Sequence, residues 1–370
     1  METRAEWRAP VLDVARQRLA TRYGQQKRSL LLAESFLALA YVVAWQLALS
    51  YGHFRINSAG GVIVLFLLLV LIFEGLSFPM AFLGFQLSRG YGLSVQSMRG
   101  WLVDQVKALG LALLFGGGLV ELAYFFMRLE PALWWLLLAA VVFVFTVALA
   151  NLAPVLIAPL FYTFTPLEDA HLKGQLLALA ARAGTHVRGV FTMQLSDKTT
   201  EANAAVMGWG NTRRIVIGDT LVGNFPADET EAVLAHELGH HVHHDIWKSL
   251  LLETAVTVLT FWIVAQLYGL AAVVGWVPPL PDAAGMPLLA LLLGALSAVF
   301  APLTRGFSRH IEHQADVYAL RLASNPAAFT GSMIRLANQN LAEVDPPRWV
   351  EVLLYDHPAI GRRIRLFQPT

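Results

Sequence analysis

The stretch that decides the fold is His236-Glu237-Leu238-Gly239-His240. Two histidines four residues apart on a helix lie on one face, so both imidazoles can bind one Zn2+ at about 2.0–2.1 Å. Glu237 follows the first histidine, where its carboxylate can reach a water molecule that the metal polarises. A polarised water beside a carboxylate base is typical of metalloproteases, so the motif predicts that chemistry. The alternative is an amphipathic helix with two surface histidines.

The flanking residues predict where this helix begins and ends. Asp228 and Glu231 have the spacing of a capping box, and Pro226 lies just upstream. Three more histidines follow the motif: His241, His243 and His244. We expect them to form a polar surface at the helix end, and additional metal ligation is the alternative.

A catalytic zinc site needs three protein ligands and one position open to water. The segment Glu312-His313-Gln314-Ala315-Asp316 supplies two carboxylates four residues apart on one helix face. In zincins whose third ligand is a glutamate, that glutamate binds the metal and a later aspartate accepts a hydrogen bond from a ligand imidazole. We therefore predict one Zn2+ per chain, bound by His236, His240 and Glu312. Asp316 is predicted to accept a hydrogen bond from one of the ligand histidines. The alternative for the two carboxylates is a solvated helix face.

The composition predicts a polytopic membrane protein, because 56% of the residues are hydrophobic and only 14% are charged. A helix needs roughly 20 apolar residues to cross a bilayer core. Six stretches are long enough: Leu30–Leu49, Gly61–Leu87, Ala108–Phe126, Leu133–Leu156, Leu250–Val274 and Met286–Leu303.

The positions of the basic residues predict the orientation. All but two of the 27 lysines and arginines fall on one side of the predicted spans, and the exceptions are Arg55 and Arg128. The positive side of a membrane protein faces the cytoplasm. We therefore expect the active site and both termini to face the cytoplasm, in a bacterial inner membrane. The basic residues indicate contact with the lipid bilayer and give no reason to expect nucleic acid as a partner.

The spans divide the chain into four parts. Residues 1–161 form an N-terminal membrane region with four spans, and 162–249 form a first lobe with the zinc helix. Residues 250–303 form a transmembrane hairpin, and 304–370 form a second lobe that supplies the third ligand. The fold class is thus mainly α: about six transmembrane helices and a zincin-like α+β catalytic domain containing a small sheet. The chain has no cysteine, which excludes disulfides and thiolate ligands.

The first lobe contains the signals of that sheet. Thr165-Pro166-Leu167-Glu168 reads as a capping box opening a helix that runs to Ala183. Strands are predicted at Val187–Leu195, Ala202–Trp209 and Arg213–Ile217. An exposed edge strand can hold a peptide substrate by main-chain hydrogen bonds, and our candidate edge consists of Asn203, Ala204, Ala205, Val206 and Met207. In the alternative, these strands form a hairpin that only packs on the helices.

These motifs together resemble the type I CAAX prenyl protease family of integral-membrane zinc metallopeptidases. Further matching stretches are Tyr91-Gly92-Leu93-Ser94, Ile157-Ala158-Pro159-Leu160-Phe161, Ile215-Val216-Ile217 and Asp356-His357-Pro358 followed by Arg363. The resemblance implies that His357 and Arg363 hold the oxyanion or orient the substrate, as catalytic residues beside Glu237. Arg363 pairing with Asp316 or Glu312 is the structural alternative. Eukaryotic members have seven spans around an intramembrane chamber, whereas six are counted here.

The resemblance implies a zinc metalloendopeptidase that cleaves near the C-terminus of prenylated peptides. The alternative function is a membrane-protein quality-control protease that acts on substrates without a prenyl group. An intramembrane-cleaving protease is disfavoured because the motif lies in a polar segment, and a transporter or scaffold would not need Glu237. Glutamates in the apolar stretches are expected to line a hydrated chamber or to lie at the membrane interface: Glu34, Glu74, Glu121 and Glu253.

Overall fold

The structure, a computed structural model, describes residues 10–208 and 210–366. In these ranges the helices are α1 (Val14–Tyr51), α2 (Ala59–Gly90), α3 (Met98–Leu129), α4 (Trp134–Leu152), α5 (Ala158–Phe161), α6 (Ala170–Arg182), α7 (Asp219–Val222), α8 (Ala227–Val242), α9 (Asp245–Val273), α10 (Met286–Ala323), α11 (Pro326–Gln339), α12 (Arg348–Leu354) and α13 (Ile360–Arg365). A π-helical turn, Ala153–Ile157, joins α4 to α5.

Six helices are long and apolar enough to cross a membrane: α1, α2, α3, α4, α9 and α10. The prediction of six spans is confirmed, but several helices extend beyond the apolar stretch that predicted them. Helix α1 begins at Val14, where the Asp13 carboxylate accepts the free N–H groups of Ala15 and Arg16. Helix α3 begins after the cap Ser97, ten residues before the predicted Ala108. Apolar composition marks only the crossing of the bilayer, whereas the helical hydrogen bonds continue into water.

These extensions bind the soluble part of the chain. The guanidinium of Arg28 on α1 forms an ion pair with Glu343 at 2.6 Å, and both side chains are largely buried. The Tyr355 hydroxyl donates to the same carboxylate at 3.2 Å. On α3, Asp104 forms an ion pair with Lys198. The soluble part is therefore attached to the membrane helices by partly buried polar contacts.

Helix α10 connects the membrane to the catalytic part without a break. Its 38 residues correspond to about 57 Å at 1.5 Å per residue, nearly twice the roughly 30 Å of a hydrocarbon core. The predicted boundary between residues 303 and 304 lies inside this helix. Glu312 and Asp316 are buried on the part of α10 beyond the apolar stretch. A rigid helix thus fixes the height of these carboxylates above the membrane.

A four-stranded sheet lies beside α8. Its strands are β1 (Phe164–Pro166), β2 (Val190–Met193), β3 (Ala204–Met207) and β4 (Arg214–Gly218), in the order β1-β2-β4-β3. Strand β2 runs parallel to β4, while β1 and β3 are antiparallel to their neighbours. Trp209, the predicted last residue of the β3 segment, lies outside the described residues.

The predicted capping box at Thr165-Pro166 is wrong. These residues belong to the edge strand β1, where a proline is tolerated because only one side of the strand is paired. The helix begins later, at Ala170, because the Asp169 carboxylate accepts the N–H of Leu172 at 2.9 Å.

The catalytic core lies between the sheet and α6, α8 and α11. Its completely buried members include Leu176 and Leu179 of α6, Ile215 and Ile217 of β4 and Leu238 of α8. Burial of such side chains stabilises the fold by about 1.5–3 kcal/mol each. The zinc motif is therefore on a helix whose opposite face is fixed in a core.

An apolar cavity of about 530 Å³ lies among the membrane helices, and all six spanning helices contribute to its lining. Glu74 lines this cavity together with Tyr41 and Tyr124. Of the other glutamates expected in a chamber, Glu34 and Glu253 are exposed on the helices and Glu121 is half-buried. The cavity is thus largely hydrophobic.

Candidate active site

The first part of the site is the face of α8 that carries the motif. The helix begins at Ala227 after Pro226, so the predicted capping box at Asp228 is wrong. Asp228 lies in the first turn, and Glu231 instead forms an ion pair with Arg182 at 2.8 Å. Proline preceding the helix leaves no N–H to cap at that position.

The two helices that carry the predicted ligands approach each other at Gly239. A Cβ at this position would lie 3.1 Å from the Cα of Ala315 and 3.3 Å from its carbonyl oxygen. Ala315 lies on α10 between Glu312 and Asp316. The glycine between the two histidines therefore allows the backbone of α8 to reach the carboxylates of α10.

The three side chains that are predicted as ligands meet at this contact. Nε2 of His236 lies 3.3 Å from Nε2 of His240 and 3.2 Å from an Oε of Glu312. Nε2 of His240 lies 3.4 Å from the other Oε of Glu312. These residues form the group that could hold a metal ion among the described residues.

The donor set fits a zinc ion. A tetrahedral centre with bonds of about 2.0–2.1 Å separates its ligand atoms by about 3.3–3.4 Å, close to the distances between these three side chains. Oε2 of Glu312 is buried and makes no hydrogen bond within the described residues. An unpaired buried carboxylate oxygen is costly, and a bound cation would satisfy it.

Each histidine has a carboxylate behind it. Nδ1 of His236 lies 2.8 Å from Asp316, and Nδ1 of His240 lies 3.0 Å from Asp245. If each Nδ1–H donates to its carboxylate, each Nε2 presents a lone pair to the centre of the site. Lys248 in turn donates to Asp245 at 2.9 Å. Both imidazoles are therefore held in the tautomer that binds a metal.

Arg363 is buried against this arrangement. Its Nε and Nη2 donate to the two oxygens of Asp316 at 2.9 and 2.6 Å, and Nη2 lies 3.3 Å from Nδ1 of His236. This pairing is the structural alternative drawn from the sequence. Its role at the oxyanion stays a prediction, whereas its contact with Asp316 orients the carboxylate behind a ligand.

Ionisation in the site reflects burial and close charges. Without a metal, burial lowers the pKa of His236, but the adjoining carboxylates of Asp316 and Glu312 outweigh it and raise the value to about 9, so a metal that binds Nε2 displaces a proton. Burial raises the pKa of the Glu237 carboxyl, against the opposing effect of the two imidazoles. A carboxyl with a raised pKa is better suited to exchange protons near neutral pH.

His357 lies at the open side of the site. Its Nε2 is 3.2 Å from Glu312, and its Nδ1 is 2.8 Å from Asp356. The side chain is about half exposed. An imidazole at this place can donate a hydrogen bond to a group that enters the site from solvent.

Strand β3 forms one edge of the sheet, next to α8. Gly218 of β4 donates to the carbonyl of Asn203, so the antiparallel alternation directs the backbone groups of Ala204 and Val206 to the outer edge. His241 Nε2 lies 3.1 Å from the Val206 carbonyl at that edge. The five predicted residues, Asn203 to Met207, thus lie at or beside an edge facing the zinc helix.

Two elements of the site were missed from the sequence. Asp245 lies beyond the helix end, where His244 adopts a left-handed φ of 56° and turns the chain so that the carboxylate meets His240. Gly239 stood inside the motif without an assigned role. Asp245 could have been predicted from the sequence, because the Nδ1–H of each ligand histidine needs a hydrogen-bond acceptor.

Comparisons with known proteins fit this geometry. Residues 166–368 match the family model described as "Peptidase family M48". Residues 18–163 match "CAAX prenyl protease N-terminal, five membrane helices", although four spanning helices occupy this range, all of which is described. The crystal structure of S. mikatae Ste24p superposes with a TM-score of 0.82 at 25% identity, covering 96% of this chain and 89% of that one.

Two curated proteins illustrate the range of relatives. The chain is 30% identical to "Uncharacterized metalloprotease YhfN" of Bacillus subtilis, over 84% of this chain and 73% of that protein. It is 29% identical to "CAAX prenyl protease 1" of Saccharomyces cerevisiae, over 76% of this chain and 66% of that protein.

Proposed function

Because this chain belongs to peptidase family M48 and is a multi-pass membrane metalloendopeptidase, we propose that it hydrolyses peptide bonds with one Zn2+ per chain, held by His236, His240 and Glu312. The resemblance drawn from the sequence motifs is confirmed. The observation that carries the proposal is the close approach of the donor atoms: the two Nε2 atoms lie 3.3 Å apart, and each lies 3.2–3.4 Å from one oxygen of Glu312. When bound, the metal supplies Lewis acidity that polarises water and the scissile carbonyl.

Glu237 is the general base in this proposal. It neighbours His236 in sequence and lies about 100° further round the helix, so its carboxylate is beside the ligands without being one of them. It accepts a proton from the attacking water and delivers a proton to the leaving amine. General acid–base action of this kind is typically worth about 10²–10⁴-fold in rate.

His357 and Arg363 have different tasks. The half-exposed imidazole of His357 lies 3.2 Å from Glu312 through Nε2, and when substrate binds this nitrogen can donate instead to the oxygen of the attacked carbonyl, where negative charge develops. Arg363 holds Asp316, which in turn orients His236. We assign the oxyanion contact to His357 first and a positioning role to Arg363.

The substrate lies along β3 in this proposal. The outer edge offers the main-chain groups of Ala204 and the N–H of Val206 to an extended peptide, while the Val206 carbonyl contacts His241 of the helix that carries Glu237. Asn203, Ala205 and Met207 complete the binding strand. Main-chain hydrogen bonds hold an extended peptide in one register. This register presents a single carbonyl to the water that Glu237 deprotonates.

We further propose that the physiological substrates carry a prenyl group near the C-terminus. Several curated relatives are named CAAX prenyl proteases, and the membrane domain provides a hydrophobic cavity of about 530 Å³. The catalytic part faces the cytoplasm of a bacterial inner membrane, as the distribution of basic residues indicates. Nucleic acid has no part in this proposal.

Mass spectrometry of the products from matched peptides tests the substrate class. Each prenylated peptide is paired with an identical peptide that lacks the prenyl group, and both are given to purified protein in lipid nanodiscs. We expect the prenylated member to be cleaved at least about tenfold more efficiently, since burial of each CH₂ is worth about 0.8 kcal/mol. Equal cleavage would favour a quality-control protease, and cleavage of neither peptide would contradict the peptidase assignment.

A further inference from the structure

A cavity of about 240 Å³ opens beside the metal site. It shares His240 with the ligand set and Val206 with the edge strand. One wall is apolar and comes from the membrane helices α4 and α9, through residues such as Val147 and Leu250. The cavity is therefore within reach of a peptide held on β3.

Arg213 is the charged residue of this cavity. Its Nε is buried and makes no hydrogen bond within the described residues. The neighbouring Arg214 is satisfied, because it donates to the Pro154 carbonyl at 2.7 Å and stacks on Phe164. Two adjacent arginines thus differ: one is paired inside the protein, and the other has a buried donor left for a molecule from outside.

The cavity offers Arg213 no counter-charge. Its described lining contains no aspartate or glutamate, and its other polar members are Asn151, His240, His241 and His244. Asn151 donates to the Val147 carbonyl, and His241 is engaged by Val206. Arg213 as a whole is only partly buried, but a buried Nε–H without an acceptor is costly, so the site favours a ligand that brings an acceptor such as an anionic group.

We propose that this cavity is a substrate subsite for a carboxylate, which pairs with Arg213 while the peptide lies on β3. The carboxylate belongs to an acidic side chain or to the free C-terminus of the peptide. A guanidinium matches a carboxylate by two parallel hydrogen bonds, and such charge-assisted bonds are about twice as strong as neutral ones. The inference rests on the proposed peptidase function and adds a charge preference to it.

The position of the cavity favours a peptide over a lipid phosphate. Its lining includes Met207 and Gly208, where β3 ends, and the metal ligand His240. A peptide that extends along β3 with its reacting carbonyl at the ligands passes directly over this opening. A lipid headgroup would be expected to pair with cations on the outer surface of the membrane helices instead.

Matched peptides test the inference. One series places glutamate or its uncharged isostere glutamine at successive positions around the scissile bond, with an amidated C-terminus. A second series carries glutamine throughout and compares a free C-terminus with an amide. Binding is measured on the Glu237→Gln protein in nanodiscs of neutral lipid, and cleavage on the otherwise unchanged enzyme. The binding measurement keeps the inference testable independently of turnover.

We expect one peptide with a carboxylate to bind about tenfold more tightly than its uncharged twin. Arg213→Gln should reduce this ratio to about one, and Arg213→Lys should restore part of it. The control is Arg188→Gln, which removes an exposed arginine that does not line the cavity and should keep the full ratio. The first series identifies a side-chain carboxylate, and the second a C-terminal one.

Three results would overturn the inference: equal binding of every charged and uncharged pair, a preference that survives Arg213→Gln, or a loss of binding that is the same for both members of a pair. An effect of Arg213→Gln that requires anionic lipid would show a lipid site instead. Absence of cleavage with retained charge-selective binding would contradict the peptidase assignment and leave the subsite standing.

Discussion

The close approach of α8 and α10 makes Gly239→Ala a sensitive test of how the ligands are positioned. The added methyl would lie 3.1 Å from the Cα of Ala315 and 3.3 Å from its Cβ and carbonyl oxygen, all backbone or short groups that cannot swing aside. Overpacking of this kind costs about 1–3 kcal/mol. Alanine itself favours a helix over glycine by about 1 kcal/mol, which partly offsets the clash.

A control glycine separates these two effects. A Cβ at Gly174 on α6 would meet nothing within 4 Å, so Gly174→Ala gains helix propensity without a clash. The difference in unfolding free energy between the two variants therefore isolates the clash, at about 1–3 kcal/mol. Thermal unfolding of the metal-free proteins in one detergent measures it.

Zinc affinity gives a second measurement on the same variants. Relief of the clash moves α8 from α10 by a few tenths of an ångström, and ligand distances of a metal site must hold within about 0.2 Å. We expect Gly239→Ala to weaken zinc binding at least about tenfold in a chelator competition assay, and Gly174→Ala to leave it unchanged. The reasoning fails if the two variants are equally stable and bind zinc equally.

Three further predictions follow from single contacts. Glu312→Ala should lose zinc along with activity, because two histidines alone hold zinc poorly; full metal occupancy by elemental analysis would show that this glutamate is not a ligand. A cysteine at Ser58 should react with a membrane-impermeant label from outside the cell and one at Asp197 should not; both positions are exposed, and the reverse pattern would overturn the orientation. Glu343→Ala should destabilise the protein by about 3 kcal/mol, the lower end of the range for a broken buried pair, because it leaves a largely buried arginine unpaired, whereas Asp345→Ala removes an exposed pair worth about 0–1 kcal/mol; equal melting temperatures would contradict this.

Local patterns in the sequence predicted the parts of the site that depend on helix geometry. Four-residue spacing alone places His236 and His240 on one face, and the same spacing pairs Glu312 with Asp316. The membrane spans were also predictable, because apolar length is a direct requirement of the bilayer. Packing between these elements had to come from the structure.

The missed features depend on contacts between distant residues. Strand β1 contains Pro166 and only three residues, and its extended form is maintained by pairing with β2. Asp245 reaches His240 only because the chain reverses at His244. The pairing of Arg363 with Asp316 was named from the sequence only as an alternative, because it joins residues of α13 and α10 and no local pattern encodes it.

The measurement that tests the central claim most directly is the comparison of zinc content, substrate binding and turnover in Glu237→Gln. Glutamine preserves the size of the side chain and removes its ability to accept a proton. The account predicts a folded protein that retains one Zn2+ and binds peptide, with kcat lower by at least about 10²–10⁴-fold. A Glu237→Gln protein that cleaves peptide at a rate near that of the original enzyme would contradict the account.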